Sequence, residues 1–276
     1  MTNNDCLLCS FENPKPTVTA IAIRDGKILV AKRNEAPFKG EWDFLGGYIQ
    51  KEETPEEALR RELKEELGTG VCGVTFIGSF PGTASYKDRS FPVLSFAYLV
   101  ELEGEMVLNH ENSEVAWIPL ASLDTIAFDS NVKILKYLKG KFIYDLKAVR
   151  ALVSQLDSTA TVNEPSLYQA ILEGYVSTIY EEGKIIGMGW IFPRQTMLRR
   201  QAVVEDMIVD PSQRGKGLGE KILNDLLRWA NDQGVEMVEL TTNPKRIAAN
   251  SLYQKVGFKL HMTNHYLLEL KTYRPL

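Results

Sequence analysis

The sequence predicts two consecutive α/β domains, each a mixed β-sheet flanked by helices. The first observation is length, since 276 residues exceed the usual size of a single domain. The second is that segments of alternating apolar and polar residues occur together with helical patterns in both halves of the chain. The third is a break at KGKFIYD, where one helical pattern ends near Leu138 and another begins at Leu146. We therefore predict a first domain at 1–140 and a second at 141–276, with the boundary near Gly140.

The first domain is predicted to open with a β-hairpin. TVTAIAI, which starts at Thr17, alternates in polarity, the chain turns at Asp25-Gly26, and KILVAKR resumes the strand pattern. Further strands are predicted near 74–80, 93–101 and 115–118, and helical spacing returns over 131–138. These elements indicate a mixed sheet with helices packed on it.

Residues 47–68, reading GYIQKEETPEEALRRELKEELG, contain a helix with regularly spaced charges. Thr54 suits the N-cap, Pro55 suits the first helical position, and Gly68 supplies the stop. At about 3.6 residues per turn, a leucine stripe lies beside a face of three carboxylates, Glu62, Glu65 and Glu66. Such carboxylates are expected to converge on a cation, and oxygen ligands suit Mg²⁺ or Mn²⁺. A solvated charged face is the alternative for this helix taken alone.

The residues around this helix resemble the Nudix box. Its charged and glycine positions are matched by Gly47, Glu53, Arg61, Glu62, Glu65, Glu66 and Gly68. Two positions depart from the pattern: Thr69 stands where an aliphatic residue is usual, and Leu45 stands where many members have proline. The resemblance implies a Nudix α/β/α sandwich that hydrolyses a nucleoside diphosphate linked to another moiety, with Mg²⁺ or Mn²⁺ as cofactor.

The resemblance also implies roles for the box residues. Glu62, Glu65 and Glu66 are the expected metal ligands, and Glu65 and Glu66 are counted among the catalytic residues as well. Arg61 and Glu53 are expected to brace the box loop against the helix, and the supporting set is completed by Gly47 and Gly68.

The general base varies in location across this family. Our candidate is Glu114 in HENSEVAWIPL, and the alternative is that Glu114 is only a loop carboxylate ahead of a buried Trp117. The strings typical of NADH-cleaving and coenzyme A-cleaving relatives are not matched, so an ADP-ribose-like compound is the expected substrate. Three aromatic residues near the box either stack on the nucleobase of this substrate or belong to the core: Trp42, Phe44 and Tyr86.

Composition is that of a globular protein, with 44% hydrophobic residues and a formal charge of 32 minus 36, or −4. Bulk binding to nucleic acid is not expected from this balance, and neither a signal peptide nor a membrane span is predicted, so the expected location is cytoplasmic. Cys6 and Cys9 form a CxxC without a second half. We interpret the pair as a remnant or as free thiols, with metal binding across a dimer as the alternative. Oligomeric state is not predicted.

The second domain is predicted to start with two helices, with DSTATVNEPS between them, followed by strands near 176–181, 185–192 and 202–209. A turn then reads DPSQRGKGLG and opens a helix. Arg214, Gly217 and Gly219 form an RxxGxG, whose free backbone N–H groups and helix dipole can cradle a diphosphate. The spacing is neither that of a Walker loop nor that of a Rossmann fingerprint.

From about Leu146 onward the chain resembles the GNAT acyltransferase family. The resemblance rests on VVEDMIVDPSQRGKGLG, VEMVELTT, IAANSLYQKVGFKLH and TNHYLLEL. It implies transfer of an acyl group from acetyl-CoA to a primary amine, the acceptor being unidentified. The residues implied in cofactor binding are Val209, Arg214, Gly215, Lys216, Gly217, Leu218, Gly219 and Asn250.

Acyl transfer to an amine needs a base and an acid. Tyr253 occupies the family's acid position, or alternatively packs beneath the cofactor. Glu205 is the candidate base, acting through water with Asp206 as a substitute, or alternatively a substrate-binding residue. The whole chain is thus predicted to be a bifunctional enzyme. The alternative is that one module senses a nucleotide or acyl-CoA and regulates the other module or a partner protein.

Overall fold

The computed structural model describes residues 13–86, 89–142, 145–156, 162–266 and 268. The first half contains two helices and seven strands, at β1 Lys15–Ile21, β2 Ile23–Arg24, β3 Lys27–Arg33, β4 Trp42–Asp43, α1 Pro55–Leu67, β5 Gly70–Tyr86, β6 Arg89–Glu103, β7 Asn112–Pro119 and α2 Asp129–Phe142. The second half contains α3 Leu146–Val153, α4 Glu164–Glu173, β8 Tyr175–Glu181, β9 Lys184–Gln195, β10 Arg200–Val209, α5 Leu218–Asp232, β11 Met237–Leu240 and α6 Ile247–Val256. Within the described ranges, no helix is both long and apolar enough to cross a membrane.

The first half is built on two small sheets. One has the order β1-β6-β5, with β1 parallel to β6 and β5 antiparallel to it. The other has the order β2-β3-β4, and β7 pairs antiparallel with β3. Isolated bridges from Thr17 to Tyr48 and from Ala20 to Leu45 attach the box loop to β1. These bridges place the loop that precedes α1 against the sheet.

Successive side chains along the strands point to opposite faces and pack against two different helices. Val18 and Ala20 of β1 pack in a core with α1, whereas Ile21 packs in a second core with α2. The same alternation holds in β3, where Leu29 faces the α1 core and Ile28 the α2 core. The predicted α/β/α arrangement is therefore confirmed.

The predicted hairpin is correct at its turn and wrong in its extent. Asp25 and Gly26 both have positive φ, as a tight two-residue hairpin turn requires. On the N-terminal side of the turn, the strand that pairs with β3 is the two-residue β2, Ile23 and Arg24. β1 instead runs parallel to β6 in the other sheet, because its side chains can then be buried on both faces between the helices.

The other predicted elements of the first half are present but longer than predicted. β5 and β6 extend to 17 and 15 residues and pair along their whole length, with irregularities near Cys72 and Ile77. The helix predicted over 131–138 runs from Asp129 to Phe142. It therefore passes through Gly140, so the predicted domain boundary falls inside a helix. A division of the chain after α2 remains a proposal.

The second half is a four-stranded sheet in the order β11-β10-β9-β8. α5 packs on one face through Ile222, Leu223 and Leu226. α3 and α4 cover the other face with residues such as Val149 and Tyr168. The predicted mixed sheet flanked by helices is confirmed, whereas residues 263–266 of the predicted TNHYLLEL segment form no strand.

The two halves share one core at their junction. Phe142 at the end of α2 packs edge-on against Tyr168 of α4, with the ring centroids 5.1 Å apart. Buried Glu164 accepts hydrogen bonds from the backbone N–H groups of Asp25 (2.6 Å) and Gly26 (2.9 Å) and from the Tyr168 hydroxyl (2.6 Å). The carboxylate of the second half thus binds the hairpin turn of the first.

Candidate functional site

The helix that carries the box, α1, begins and ends as its sequence predicts. Thr54 caps the helix and forms a capping box with Glu57, whose carboxylate accepts from the Thr54 N–H at 2.8 Å. Gly68 ends the helix in the left-handed conformation at φ 65°. Leu59, Leu63 and Leu67 are fully buried, so the helix is fixed and its charged face lies at the surface of the sheet.

Arg61 holds the box loop to the helix. Its Nε and Nη2 donate to the two carboxylate oxygens of Glu53 at 2.6 and 2.9 Å, and Nη2 also donates to the Tyr48 carbonyl at 3.0 Å. The guanidinium beside it lowers the pKa of Glu53 to about 2. The bidentate pair is the geometry that the predicted bracing role requires.

The three box glutamates have the donor chemistry of a divalent-cation site but do not meet at one point. Glu66 is buried and accepts from the Gly46 N–H at 3.0 Å, whereas Nη1 of Arg61 contacts both Glu62 (2.8 Å) and Glu65 (3.2 Å). Among the described residues, no three carboxylate, histidine or cysteine side chains are placed to hold a metal. Arg61 thus pairs with two of the three carboxylates in this arrangement, and their convergence on a cation stays a prediction.

The backbone beside the box is shaped around these carboxylates. A Cβ atom on Gly47 would lie 2.4 Å from Oε1 of Glu62, so this position has no room for a side chain while Glu62 stays in place. The three glutamates on this helix supply oxygen donors only, and such donors suit Mg²⁺ or Mn²⁺. Glu62, Glu65 and Glu66 remain our predicted ligands.

Negative charge accumulates around Glu66. Burial, followed by the charges of Glu62, Glu111 and Asp43, raises its pKa to about 8, against the hydrogen bond from Gly46. Glu111 also raises the pKa of Glu62, after burial as the largest cause. Sequence reasoning missed Glu111, although it lies in the HENSE segment chosen for the base.

Glu114 lies elsewhere in the same segment. It is on β7 opposite Lys32 of β3, and the two side chains form an exposed ion pair at 3.6 Å. The charges that act on Glu62 and Glu66 include Glu111 and not Glu114. The charge of Glu111 therefore acts on the box, and Glu114 as the general base stays a prediction.

A buried polar network lies under the box loop. Asp43 accepts from Nη1 of Arg33 at 3.0 Å, from the Phe44 N–H at 2.9 Å and from the Asn131 side-chain amide at 2.7 Å. Thr19 of β1 hydrogen-bonds Ser95 of β6 at 2.6 Å within the same layer. The network ties β1, β3, β4, β6 and α2 together immediately behind the carboxylates, and the sequence pattern did not indicate it.

The aromatic candidates separate into different environments. Phe44 is buried in the core, and Trp42 packs partly against it, so the core alternative is correct for Phe44. Phe38 and Phe128 form an edge-on pair at 5.0 Å, and the Arg33 guanidinium lies 4.8 Å from the Phe128 ring. The Tyr86 side chain, Cys6 and Cys9 lie outside the described parts of the structure.

The turn of the second half that is predicted to bind a diphosphate is open. Gly215 and Gly217 have φ of 79° and 77°, and a Cβ on either would meet no atom within 4 Å. Gly217 caps α5 without any side-chain hydrogen bond, so the first amides of the helix point outward unblocked. The Arg214 amide instead donates to Pro211 at 3.4 Å, and its Nε donates to the Val209 carbonyl at 3.1 Å. The predicted cradle is thus narrower, running from Gly215 to Gly219 and including Lys216 and Leu218.

β10 separates from β11 just before Glu205, the candidate base. β10 and β11 are paired only from Gln201–Met237 to Val204–Leu240, whereas β10 continues to Val209. A bulge against β9 follows Glu205, and Asp206 takes a positive φ of 50° within it. The sequence contained no glycine to indicate this bulge. The bulge bends β10 at Glu205 and Asp206.

The charge of Glu205, the candidate base, acts on Tyr253, the candidate acid. Burial raises the pKa of Glu205, and the Asp206 charge adds to this. Burial also raises the pKa of Tyr253, with the Glu205 charge acting in the same direction and Arg246 against it. The shifts suit a base that titrates nearer neutrality and a phenol that stays protonated. Asn250 is one turn from Tyr253, and its amide donates to the carbonyls of Asn243 and Arg246.

Comparison with known proteins assigns each half. The family model for the NUDIX domain matches residues 13–138, and that for the acetyltransferase (GNAT) family matches residues 144–258. A Methanocaldococcus jannaschii ADP-ribose pyrophosphatase is 33% identical, over 48% of this chain and 77% of the relative. An Escherichia coli nucleoside triphosphatase NudI is also 33% identical, over 42% of this chain and 89% of the relative.

The solved structures that resemble the chain include an acetyltransferase. A Trypanosoma brucei acetyltransferase is 23% identical, covering 45% of this chain and 93% of that chain with a TM-score of 0.39. The family models and the two Nudix relatives agree with the sheets, the box helix and the glycine turn described above. The chain therefore belongs to the Nudix family through its N-terminal half, and residues 144–258 of its C-terminal half match the family model of the GNAT acetyltransferases.

Proposed function

We propose that the chain is a bifunctional enzyme, in which one half hydrolyses a nucleoside diphosphate derivative and the other transfers an acetyl group from acetyl-CoA to an amine. The observation that carries this proposal is the coexistence of two separate sites. Glu62 and Glu66 of the box helix lie beside Gly47 and Gly46, and the glycine turn at the start of α5 is open.

For the first half, Glu62, Glu65 and Glu66 would hold Mg²⁺ or Mn²⁺. When bound, such an ion neutralises charge on the phosphoryl oxygens. Arg61 and Glu53 would fix the box loop beside the helix that carries these carboxylates. Glu111 is our replacement for Glu114 as the carboxylate that takes a proton from the attacking water, because its charge acts on the box.

For the substrate, we propose an ADP-ribose-like compound. The support is the similarity to the Methanocaldococcus jannaschii ADP-ribose pyrophosphatase over 134 residues. A nucleoside triphosphate is the second candidate, since the relatives that match over 128 residues include a nucleoside triphosphatase. The two candidates differ in whether hydrolysis releases a sugar phosphate.

For the second half, acetyl-CoA would place its diphosphate on the amides from Gly215 to Gly219. The amine of the acceptor attacks the thioester carbonyl, and Glu205 takes the ammonium proton through a water molecule. Tyr253 then protonates the thiolate as the carbon–sulfur bond breaks. The raised pKa of each group supports its assigned role.

The test of the first activity is a panel of ADP-ribose, NADH, coenzyme A, dinucleoside polyphosphates, nucleotide sugars and nucleoside triphosphates, incubated with purified protein and Mg²⁺. Chromatography of the products would identify cleavage, and Glu65→Gln should abolish it. Lys64→Gln is the matched control, because Lys64 directly precedes Glu65 on α1. Within the described residues, its side chain donates to the Gly68 carbonyl. Binding without cleavage across the panel would favour a sensor for this half.

The test of the second activity is release of coenzyme A thiol from acetyl-CoA in the presence of polyamines, aminoglycosides, amino acids and peptides. Tyr253→Phe should slow release without weakening acetyl-CoA binding, because the ring is kept and only the proton donor is lost. A Tyr253→Phe variant as fast as the parent protein would remove Tyr253 from the mechanism. Acetyl-CoA binding with no acceptor turned over would favour a sensor for this half.

A further inference from the structure

A cleft lies where the two halves meet, away from both sites described above. One cavity of about 290 Å³ is lined by the end of α2 and by β8, including Lys141, Thr178 and Tyr180. A second cavity of about 400 Å³ adjoins it along α2 and includes Lys133 and Lys136. Gly140 and Lys141 line both cavities, so the two form one continuous cleft, which we call the junction cleft.

One wall of the junction cleft is basic. α2 contains four lysines within nine residues in a chain whose formal charge is −4. Lys133 and Lys139 are paired with Asp129 and Asp124. Among the residues that the structure describes, Lys136 and Lys141 form no ion pair. Lys136 lines the second cavity and Lys141 lines both, which leaves two positive charges along this wall without an ion pair to any described residue.

The opposite wall supplies hydrogen-bond donors. β8 is the last strand of its sheet, and within the described chain its outer edge pairs with no strand. Backbone N–H groups along such an edge have no strand partner and can donate to a ligand. The Thr178 hydroxyl and the half-exposed Tyr180 ring lie on the same wall. Lysine charges facing backbone and hydroxyl donors recognise an anion with several oxygen atoms.

We propose that the junction cleft binds a small phosphate monoester, with Lys136 and Lys141 on the phosphate and the edge of β8 beside it. A space of this size accommodates a molecule of mononucleotide dimensions. The cleft joins α2 of the first half to β8 of the second, so a ligand bound there contacts both halves at once. A nucleoside monophosphate would also be a product of the proposed hydrolase, and this link alone rests on the proposed function.

The experiment is a calorimetric titration of the full chain with AMP, ribose 5-phosphate and inorganic phosphate, in EDTA so that metal-dependent binding at the Nudix box is suppressed. The variants are Lys136→Glu and Lys141→Glu. The matched control is Lys259→Glu, which makes the same charge change at an exposed position beyond α6. Circular dichroism and the midpoint of thermal unfolding confirm that each variant is folded.

We expect each cleft variant to weaken binding of the phosphate compounds about tenfold or more, because a charge-assisted contact is replaced by repulsion. Lys259→Glu should bind as the parent protein does. Equal affinity for the three probes would assign a phosphate subsite, and tighter binding of AMP would assign a nucleotide subsite; both support the proposal.

A second measurement locates the ligand directly. AMP should protect Lys141 from an amine-reactive reagent, as followed by mass spectrometry of tryptic peptides, and should leave Lys259 as reactive as before. Millimolar probes that do not bind, or binding that both cleft substitutions leave unchanged, would overturn the proposal. Neither result would bear on hydrolysis or acetyl transfer, since both assays use other sites.

Discussion

Gly46 and Gly47 are adjacent in the box loop but should fail in different ways when replaced by alanine. A Cβ on Gly47 would lie 2.4 Å from Oε1 of Glu62, about 1 Å inside the ordinary contact range that starts at 3.4 Å. The obstacle is the end of a flexible side chain, so Glu62 can rotate away at small cost. We expect Gly47→Ala to stay folded and to lose about 100-fold in kcat/KM, the usual effect of a 1 Å misplacement.

A Cβ on Gly46 would meet backbone instead. It would lie 2.1 Å from the Val18 carbonyl oxygen, and Gly46 has a φ of 137° that residues with side chains rarely adopt. Because β1 cannot move without disturbing its pairing with β6, we expect Gly46→Ala to lower the free energy of unfolding by about 3 kcal/mol or more.

The assays are urea unfolding and hydrolysis of whichever diphosphate the parent protein cleaves. Gly104→Ala is the control for backbone strain, since Gly104 also has positive φ but its Cβ would meet nothing within 4 Å. It should cost only about 1 kcal/mol. Full hydrolytic activity in Gly47→Ala, or parent-like stability in Gly46→Ala, would refute this account of the loop.

Three further predictions concern other parts of the chain. Arg61→Lys should reduce hydrolysis at least about tenfold while acetyl transfer is unchanged, because lysine cannot make the bidentate pair with Glu53; equal rates would contradict the brace. Glu205 has a raised pKa and must be ionised to act as base, so kcat/KM for acetyl transfer should fall as the pH drops through that pKa. This fall should occur at a higher pH than the titration of an ordinary glutamate. Glu205→Gln should remove this pH dependence, and a variant that kept it would exclude Glu205 as the base. Glu164→Ala should lower the unfolding free energy by about 3 kcal/mol, since the buried Tyr168 hydroxyl and the part-buried N–H groups of the hairpin turn lose their acceptor; an unchanged midpoint in urea would show that the junction is not held there.

The local elements were predictable because their signals are local. Thr54, Pro55 and Gly68 fix the ends of α1 through capping and backbone conformation, which depend on neighbouring residues only. The glycine turn before α5 was predictable for the same reason, since Gly217 needs positive φ and no side chain.

Features that depend on distant residues were not predictable. β1 has a hairpin pattern but pairs with β6, about 75 residues away, because burial between two helices outweighs the local turn. The charge of Glu111 acts on Glu66 across the fold, and the Asp206 bulge lacks a glycine signal. The contact of Glu164 with the Asp25–Gly26 turn joins the two halves, and neither sequence segment indicates the other.

The measurement that most directly tests two separate active sites is a crossed assay of two variants. Hydrolysis of the preferred diphosphate and acetyl transfer from acetyl-CoA would both be measured for Glu65→Gln and for Tyr253→Phe, in preparations with matched unfolding curves. The account predicts that Glu65→Gln loses only hydrolysis and that Tyr253→Phe loses only acetyl transfer. Loss of both activities in either folded variant would contradict it.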